Sequence, residues 1–172
     1  MTLSEFETLL DNYERDLYSF CLHLARDTYT AQDLFQETAL SAFEMMEIID
    51  PAHNPKSFLL AIAFNKWRNY QKKYVRRQVI APVAAPEELK SVGFNETEDA
   101  VMRFQVQEAI KKAIDEMKDK FRIPLILYYF DDFSIEEISK IVKTPTGTVK
   151  SRLHKARELA RKTLQKEGIH IE

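Results

Sequence analysis

The sequence is poor in glycine, and this shortage excludes whole classes of fold. Only 3 glycines occur among 172 residues, and Gly93, Gly147 and Gly168 lie far apart. A dinucleotide-binding fold or a phosphate-binding loop needs several glycines within one turn, where the backbone approaches phosphate closely. Sandwiches and hairpin-rich barrels also need frequent turn glycines. The composition therefore predicts an all-α fold.

Cysteine and long apolar runs are scarce as well. The single Cys21 excludes a disulfide framework. The longest apolar run is the seven-residue segment 58–64, whereas a membrane span needs about twenty apolar residues. Met1 is followed by an acidic amphipathic stretch over 5–16, unlike a secretory leader. We expect a cytoplasmic protein with no membrane insertion.

Side chains that could carry catalysis or hold a metal are scattered. The 4 histidines lie far apart, and no HExxH or paired-cysteine spacing occurs. On a helix, Cys21 and His23 would point to different faces because they are two positions apart. We expect no enzyme activity, no cofactor and no metal site, so that any chemistry belongs to a partner.

The net charge of −2 conceals a partition of charge along the chain. Residues 1–65 carry 11 acidic and 3 basic side chains, a net charge of −8. The segment 66–77 carries six basic residues and no acidic one, and 143–166 carries eight basic residues against Glu158 alone. Two basic stretches in a mildly acidic protein indicate local contacts with a polyanion. Two solvated helix faces would also explain them.

Apolar residues at steps of three and four predict three helices in the first part of the chain. The first covers 3–24 and the second 34–46. Proline then breaks the chain after Asp50 and after Asn54. Ser57 is expected to cap a third helix that runs into the first basic stretch.

The periodicity fails over 78–98, where prolines and small residues predict a flexible linker. We expect two small helical domains on either side, 1–77 and 99–172. Helical spacing resumes over 101–117 and 121–130 in the second domain.

The spacing within the second domain predicts a helix-turn-helix. Pro124 is expected in the first turn of its helix, and Ser134 with Glu137 forms a capping box for the next, nine-residue helix. After a short turn, Thr144 is expected to cap the last helix, with Pro145 at its first position.

Gly147 is expected to let the two helices of this motif approach closely, and Gly168 lies where the last helix ends. Val149 and Leu153, four apart, give the last helix its core face. Its outward positions could enter a major groove, where lysine and arginine bind guanine edges. These positions are Lys150, Ser151, His154, Lys155 and Arg157.

Three motifs resemble one family, the bacterial extracytoplasmic-function (ECF) sigma factors. The most specific, Gly147-Thr-Val-Lys-Ser-Arg-Leu153, is similar to the family's promoter-binding region. The segment Ala31-Gln-Asp-Leu-Phe-Gln-Glu-Thr38 resembles its polymerase-binding helix. The segment 58–70 resembles its helix that melts and binds the minus-ten element. All three occur in the family's order.

The resemblance implies a role for the residues that match each motif. The residues implied to bind the clamp helices of the polymerase largest subunit are Asp33, Leu34, Gln36 and Glu37. Those implied to contact the minus-ten region are Asn65, Lys66, Arg68, Asn69, Lys72 and Lys73. The loop 45–54 matches the segment that accepts a flipped minus-ten base.

Aromatic residues alternate with the cations of this minus-ten helix. Trp67, Tyr70 and Tyr74 could stack unpaired bases, although their spacing is also that of a buried helix face. In the second domain, the resemblance implies that Lys150, Ser151, His154 and Lys155 read the minus-thirty-five element. Arg152, Arg157 and Arg161 are implied phosphate contacts.

The resemblance also implies partners. They are core RNA polymerase, including the flap of its second-largest subunit, promoter DNA, and an anti-sigma factor that could hold the protein at the membrane. The residues alone leave two alternatives open. One is a free-standing helix-turn-helix regulator with an N-terminal dimerisation or ligand domain, which would bind duplex DNA without polymerase. The other is a structural helical adaptor.

Overall fold

The computed structural model describes residues 1–78 and 98–169. Every regular element in these two ranges is a helix, which confirms the predicted all-α fold. They form two compact units: α1 to α3 make the first, and α4, α5, α7 and most of α6 make the second. The linker predicted over 78–98 lies, apart from its two end residues, outside the described residues. No helix in the described ranges is both long and apolar enough to cross a membrane.

Helix α1 (Leu3–Ala25) begins at a capping box formed by Thr2 and Glu5. The Glu5 carboxylate accepts a hydrogen bond from the Thr2 N–H at 2.7 Å, and the Thr2 hydroxyl accepts one from the Glu5 N–H at 3.3 Å. The predicted helix is confirmed, but Leu3 at its start is exposed. Cys21 is fully buried, and this burial raises the pKa of its thiol to about 12. The thiol is therefore protonated at neutral pH and poorly suited to nucleophilic chemistry.

Helix α2 (Thr28–Glu44) is capped by Asp27, whose side chain accepts a hydrogen bond from the Thr30 N–H at 2.8 Å. A short 3-10 helix (Met46–Ile48) follows. Helix α3 (Pro55–Gln78) begins two residues before the predicted cap. Asn54, not Ser57, supplies the capping side chain, since its Oδ1 accepts a hydrogen bond from the Ser57 N–H at 3.1 Å.

The three helices of the first unit share one apolar core. Helices α1 and α2 are in contact, and α3 packs against both. The Lys56 ammonium of α3 also pairs with the Asp16 carboxylate of α1 at 3.1 Å. The large core side chains that are almost fully buried come from α1 and α3 and include Leu17, Phe20, Leu24, Leu59 and Leu60, and α2 contributes Ala31 and Ala42.

In the second unit, α4 (Glu98–Asp115) and α5 (Asp119–Tyr129) precede the predicted helix-turn-helix. The expectation that Pro124 stands in a first turn is wrong, because α5 begins earlier, at Asp119. Pro124 therefore lies inside the helix and is buried. It has no N–H to donate to the preceding turn, and packing must compensate for that loss.

Helix α5 also buries a charge. Arg122 is 1% exposed, and its guanidinium donates to the Asp119 carboxylate, with Nη2 at 2.8 Å and Nε at 3.2 Å from Oδ1. Pairing of this kind makes a buried arginine tolerable. Composition alone did not distinguish Arg122 from the surface cations.

The helix-turn-helix consists of α6 (Ile135–Ile141) and α7 (Thr146–Lys166). The capping box is confirmed: the Glu137 carboxylate accepts from the Ser134 N–H at 2.9 Å, and the Ser134 hydroxyl from the Glu137 N–H at 3.3 Å. The prediction of Thr144 as the cap of α7 is wrong, since α7 has no side-chain cap. Instead, the Thr144 carbonyl accepts from the Ser139 hydroxyl at 2.6 Å and closes the turn.

The two described glycines differ in backbone conformation and not in the space around them. A Cβ added to Gly147 would meet no atom within 4 Å, so the expected close approach of helices at this residue is wrong. Gly168 follows α7 with a φ of 78°, a left-handed conformation that favours glycine. Its predicted place at the end of the last helix is confirmed.

Candidate functional site

One surface of α7 carries a row of basic residues above a buried face. Val149, Leu153 and Ala156 are fully or almost fully buried, as predicted. On the solvent side, four exposed residues follow at steps of four, three and four, which places them on one helix face. We call them the α7 basic stripe: Lys150, His154, Arg157 and Arg161.

Several cations of α7 are engaged within the protein. The Glu158 carboxylate pairs with the ammonium groups of Lys155 and Lys162, each at 2.9 Å. Hydrogen bonds from Lys162 and then Lys155 lower the pKa of Glu158 to about 2. Lys155, a predicted base reader, therefore has an internal competitor for any DNA contact.

Two other predicted residues make contacts near the start of α7. The Arg152 guanidinium is half-buried and lies 3.4 Å from the Thr144 hydroxyl, so it ties α7 to the turn. The Ser151 hydroxyl is exposed and donates to the Thr148 carbonyl at 3.0 Å. Its proton is thus used, and its lone pairs can accept a hydrogen bond from an amino group of cytosine or adenine.

Most of the predicted DNA-contacting residues of α3 are exposed. Arg68, Asn69, Lys72 and Lys73 are exposed, while Asn65 and Lys66 are half-buried. The cations among them form no ion pair within the described residues; they are Lys66, Arg68, Lys72 and Lys73. The Arg68 guanidinium lies 5.9 Å from the centre of the Phe64 ring.

The aromatic residues of α3 form a stacked row at steps of three and four. The Trp67 and Tyr70 ring centroids are 5.6 Å apart, those of Tyr70 and Tyr74 are 6.4 Å apart, and both pairs are inclined by 14°. The helical spacing turns this row away from Lys72 and Asn69. Alternation along the sequence therefore places only some of the cations beside these rings: Lys66 lines a cleft with Trp67 and Tyr70, whereas Lys72 lies on another side of the helix.

Trp67 belongs to the core, in agreement with one of the two interpretations of its spacing. Its side chain is 8% exposed. The indole Nε1–H has no hydrogen-bond partner within the described residues, which is uncommon for a buried donor. Tyr70 is exposed and Tyr74 is half-buried, so only these two rings retain surface for a base or a partner.

A shallow cleft lies between α2 and α3, and it joins two of the predicted sites. Its α2 wall contains Asp33, Leu34 and Glu37, implied to bind polymerase, and its α3 wall contains Lys66, implied to bind DNA. Thr30, Trp67 and Tyr70 complete the lining. Sequence spacing could not indicate this proximity, because the two helices are separated by a loop.

The polymerase-binding prediction covers two kinds of position on α2. Asp33, Gln36 and Glu37 are exposed, whereas Leu34 is only 6% exposed. Neither carboxylate is ion-paired within the described part of the chain. Leu34 can therefore support the polar surface from below, and the three polar side chains can reach a partner directly.

The loop over 45–54 is held by local hydrogen bonds and one buried residue. The Asp50 carboxylate accepts from the Ala52 N–H at 2.9 Å and lies 2.6 Å from Nδ1 of His53. These hydrogen bonds, with Ala52 first, lower the pKa of Asp50. Ile49 is buried and anchors the loop. A preformed loop of this kind is compatible with the predicted base-binding segment.

Tyr129 lies near the α7 basic stripe, and no motif in the sequence indicated it. The Tyr129 hydroxyl, at the end of α5, accepts a hydrogen bond from Nε of Arg157 at 2.8 Å. The two residues are 28 positions apart, so no local pattern could connect them. Among the described residues, no cluster of His, Cys, Asp or Glu could hold a metal ion.

Comparison with known proteins identifies relatives of both units. The family model for Sigma-70 region 2 matches residues 9–78, and that for Sigma-70 region 4 matches residues 107–159. The ECF RNA polymerase sigma factor SigW of Bacillus subtilis is 30% identical over 166 residues, covering 93% of this chain and 89% of that protein. The RNA polymerase sigma-H factor of Pseudomonas aeruginosa is 26% identical, covering 93% of this chain and 86% of that protein.

A solved structure has the same fold. The sigma factor RpoE of Bartonella quintana, crystallised in complex with the anti-sigma factor NepR, superposes with a TM-score of 0.79. It is 22% identical, and the match covers 95% of this chain and 98% of that one. The likeness extends over both units and is a likeness of fold.

Proposed function

This chain belongs to the family of ECF RNA polymerase sigma factors, and from that membership we propose that it binds core RNA polymerase and directs it to promoters. In this proposal residues 1–77 bind polymerase and the minus-ten element, 78–98 form a linker, and 99–172 bind the minus-thirty-five element. The observation that carries the proposal is the helix-turn-helix with its exposed basic stripe, preceded in the same chain by a match to region 2.

Polymerase binding is proposed for the exposed polar surface of α2. Asp33, Gln36 and Glu37 suit a basic helical partner, and the clamp helices of the largest subunit are that partner in the proposal. Two carboxylates without ion pairs in the described residues can complement positive charge without first breaking an internal contact. Leu34 supports them from the core. The second unit would bind the flap of the second-largest subunit.

Promoter binding is proposed for the two basic helices. The cations of α3 would bind the backbone near the minus-ten element, and the beginning of α7 would read base edges in a major groove. Each good base contact contributes about 1–3 kcal/mol of discrimination. The proposed minus-ten residues are Asn65, Lys66, Arg68, Asn69, Lys72 and Lys73. The proposed minus-thirty-five residues are Lys150, Ser151, Arg152, His154, Lys155 and Arg157.

Members of this family act in transcription initiation and are not enzymes. We propose that this chain likewise carries no catalytic chemistry. Duplex melting would then draw on binding energy, through capture of unstacked bases. The protein would act in the cytoplasm, where an anti-sigma factor could sequester it.

The direct test is transcription with purified components. The promoter is located by mapping transcript starts in cells that overexpress this protein. On that promoter, the whole chain with bacterial core polymerase should give transcripts that begin at the mapped start. Absence of specific initiation would refute the proposal. Tight specific DNA binding that does not depend on polymerase would instead favour a free-standing regulator.

A second test addresses the polymerase surface. Asp33→Ala combined with Glu37→Ala should weaken binding of the whole chain to core polymerase about 10-fold or more, as expected for charged interface contacts. The matched control is Glu7→Ala with Asp11→Ala, which removes two exposed carboxylates at the same spacing from α1. Equal losses in the two double variants would mean that affinity follows net charge, and not this surface.

A further inference from the structure

Arg157 differs from the other exposed cations of α7 because two aromatic rings and one hydrogen bond hold it. Its Nε–H donates to the Tyr129 hydroxyl at 2.8 Å. Its guanidinium carbon lies 5.9 Å from the ring centroids of both Tyr128 and Tyr129. The two rings are 5.0 Å apart and inclined by 75°. Contacts with two tyrosines restrict a side chain that is otherwise flexible.

The hydrogen bond uses only one edge of the guanidinium. Arginine has five N–H donors, and the pair of terminal amino groups forms the fork that binds a phosphate through two parallel hydrogen bonds. No carboxylate or other acceptor contacts this fork within the described residues. Because Nε is bound to Tyr129, the guanidinium is restrained before any ligand arrives.

The position of Arg157 indicates which ligand suits this fork. It lies seven residues beyond Lys150 in the α7 basic stripe, about 10 Å farther along the helix. Base edges are contacted from the beginning of a recognition helix. A cation farther along is better placed for the backbone, and a planar fork matches a phosphate.

We propose that Tyr129 is a positioning residue, which holds Arg157 in the orientation that binds a DNA phosphate beside the minus-thirty-five element. This inference rests on the proposed function. Its physical basis is preorganisation: an arginine that is already oriented loses less conformational freedom when it binds. Tyr129 itself is 51% exposed, so its hydroxyl can be removed without opening the core.

The experiment measures binding of the whole chain, assembled with core polymerase, to a duplex that spans the upstream region of a mapped transcription start. Tyr129→Phe should lower the affinity about 3- to 10-fold, the range for immobilising one flexible side chain. The dependence of log K on log salt should stay unchanged, because no charge is lost. Arg157→Ala should lower the affinity further and reduce the salt slope by about 0.9, the value for one phosphate contact.

Two comparisons separate positioning from a purely structural role. Tyr128→Phe removes the neighbouring hydroxyl, which has no partner in the described residues, and should leave the affinity unchanged. In an Arg157→Ala background, Tyr129→Phe should have no further effect on DNA affinity. An effect of Tyr129→Phe that persists in that background, or no effect in the wild-type background, would overturn the inference. If the wild-type assembly shows no specific binding at all, the proposed function itself fails.

Discussion

The two basic helices of this protein use their charge differently. On α3, Lys66, Lys72 and Lys73 have no ion-pair partner among the described residues, and the aromatic row turns away from Lys72 but borders Lys66 in the cleft. On α7, Glu158 binds Lys155 and Lys162, and Tyr129 binds Arg157. A count of basic residues in the sequence makes the two helices look equivalent.

This difference shows that the number of cations in a segment is not the number available to a polyanion. An exposed ion pair contributes little to stability, but a cation must leave its carboxylate before it binds phosphate. We therefore expect α3 to contribute more salt-dependent affinity per lysine than α7. The orientation of the α7 cations is in turn better defined.

The largest effect is expected at a cation outside both basic helices. Arg122→Ala removes a side chain that is only 1% exposed, together with its ion pair to Asp119, and should lower the free energy of unfolding by about 2–5 kcal/mol. Denaturant unfolding followed by circular dichroism measures it. Arg161→Ala, at an exposed position of α7, is the control and should change stability by less than about 0.5 kcal/mol. Similar values for the two variants would show that burial of Arg122 has no energetic importance.

The comparison of the two helices is tested by two double variants with the same change of charge. Lys72→Ala with Lys73→Ala should reduce the salt slope of promoter binding by about 1.4 to 1.8, the value for two phosphate contacts. Lys155→Ala with Lys162→Ala should reduce it by less than half as much, because Glu158 already neutralises part of their charge. Titrations of the assembled polymerase across a salt series give both slopes, and equal slopes would contradict the comparison.

A smaller effect is expected where the two helices begin. Helix α3 has the Asn54 cap, whereas α7 has no side-chain cap and carries Gly147 in its first turn. Gly147→Ala should raise the free energy of unfolding by about 0.4–1 kcal/mol, because the added methyl meets no atom and the unfolded chain loses freedom. Gly168→Ala should have the opposite sign, since its φ of 78° disfavours any side chain. Destabilisation by Gly147→Ala would show a close contact at this residue.

The smallest effect concerns pH and the Glu158 pairs. The pKa of Glu158 is lowered from 4.5 to about 2, so its stabilising pairs are complete above pH 4.5 and are lost as the pH falls towards 2. Glu158→Gln should lower the Tm by no more than a few degrees at pH 7. This difference from the wild type should shrink steadily below pH 4.5 in thermal melts. A difference that is constant between pH 7 and pH 2 would show that the charge of Glu158 is not its source.

Most helices could be predicted from the sequence, because their signals are local. Apolar residues at steps of three and four indicated α1, α2 and α3, and the Ser134–Glu137 box indicated the start of α6. The errors lie at helix beginnings, where Ser57 and Thr144 were expected as caps. Several residues near a proline can supply a cap, and the path of the chain decides among them.

The sequence by itself determined the helical class of the protein, its two basic segments and the motif order that identifies its family. These properties depend on residue types at short spacing, which act wherever the helix lies. Only the tertiary structure decided that the cleft joins Glu37 to Lys66, that Arg122 is buried, and that Tyr129 holds Arg157. Such contacts join residues on different turns or helices, and their distances are set by packing.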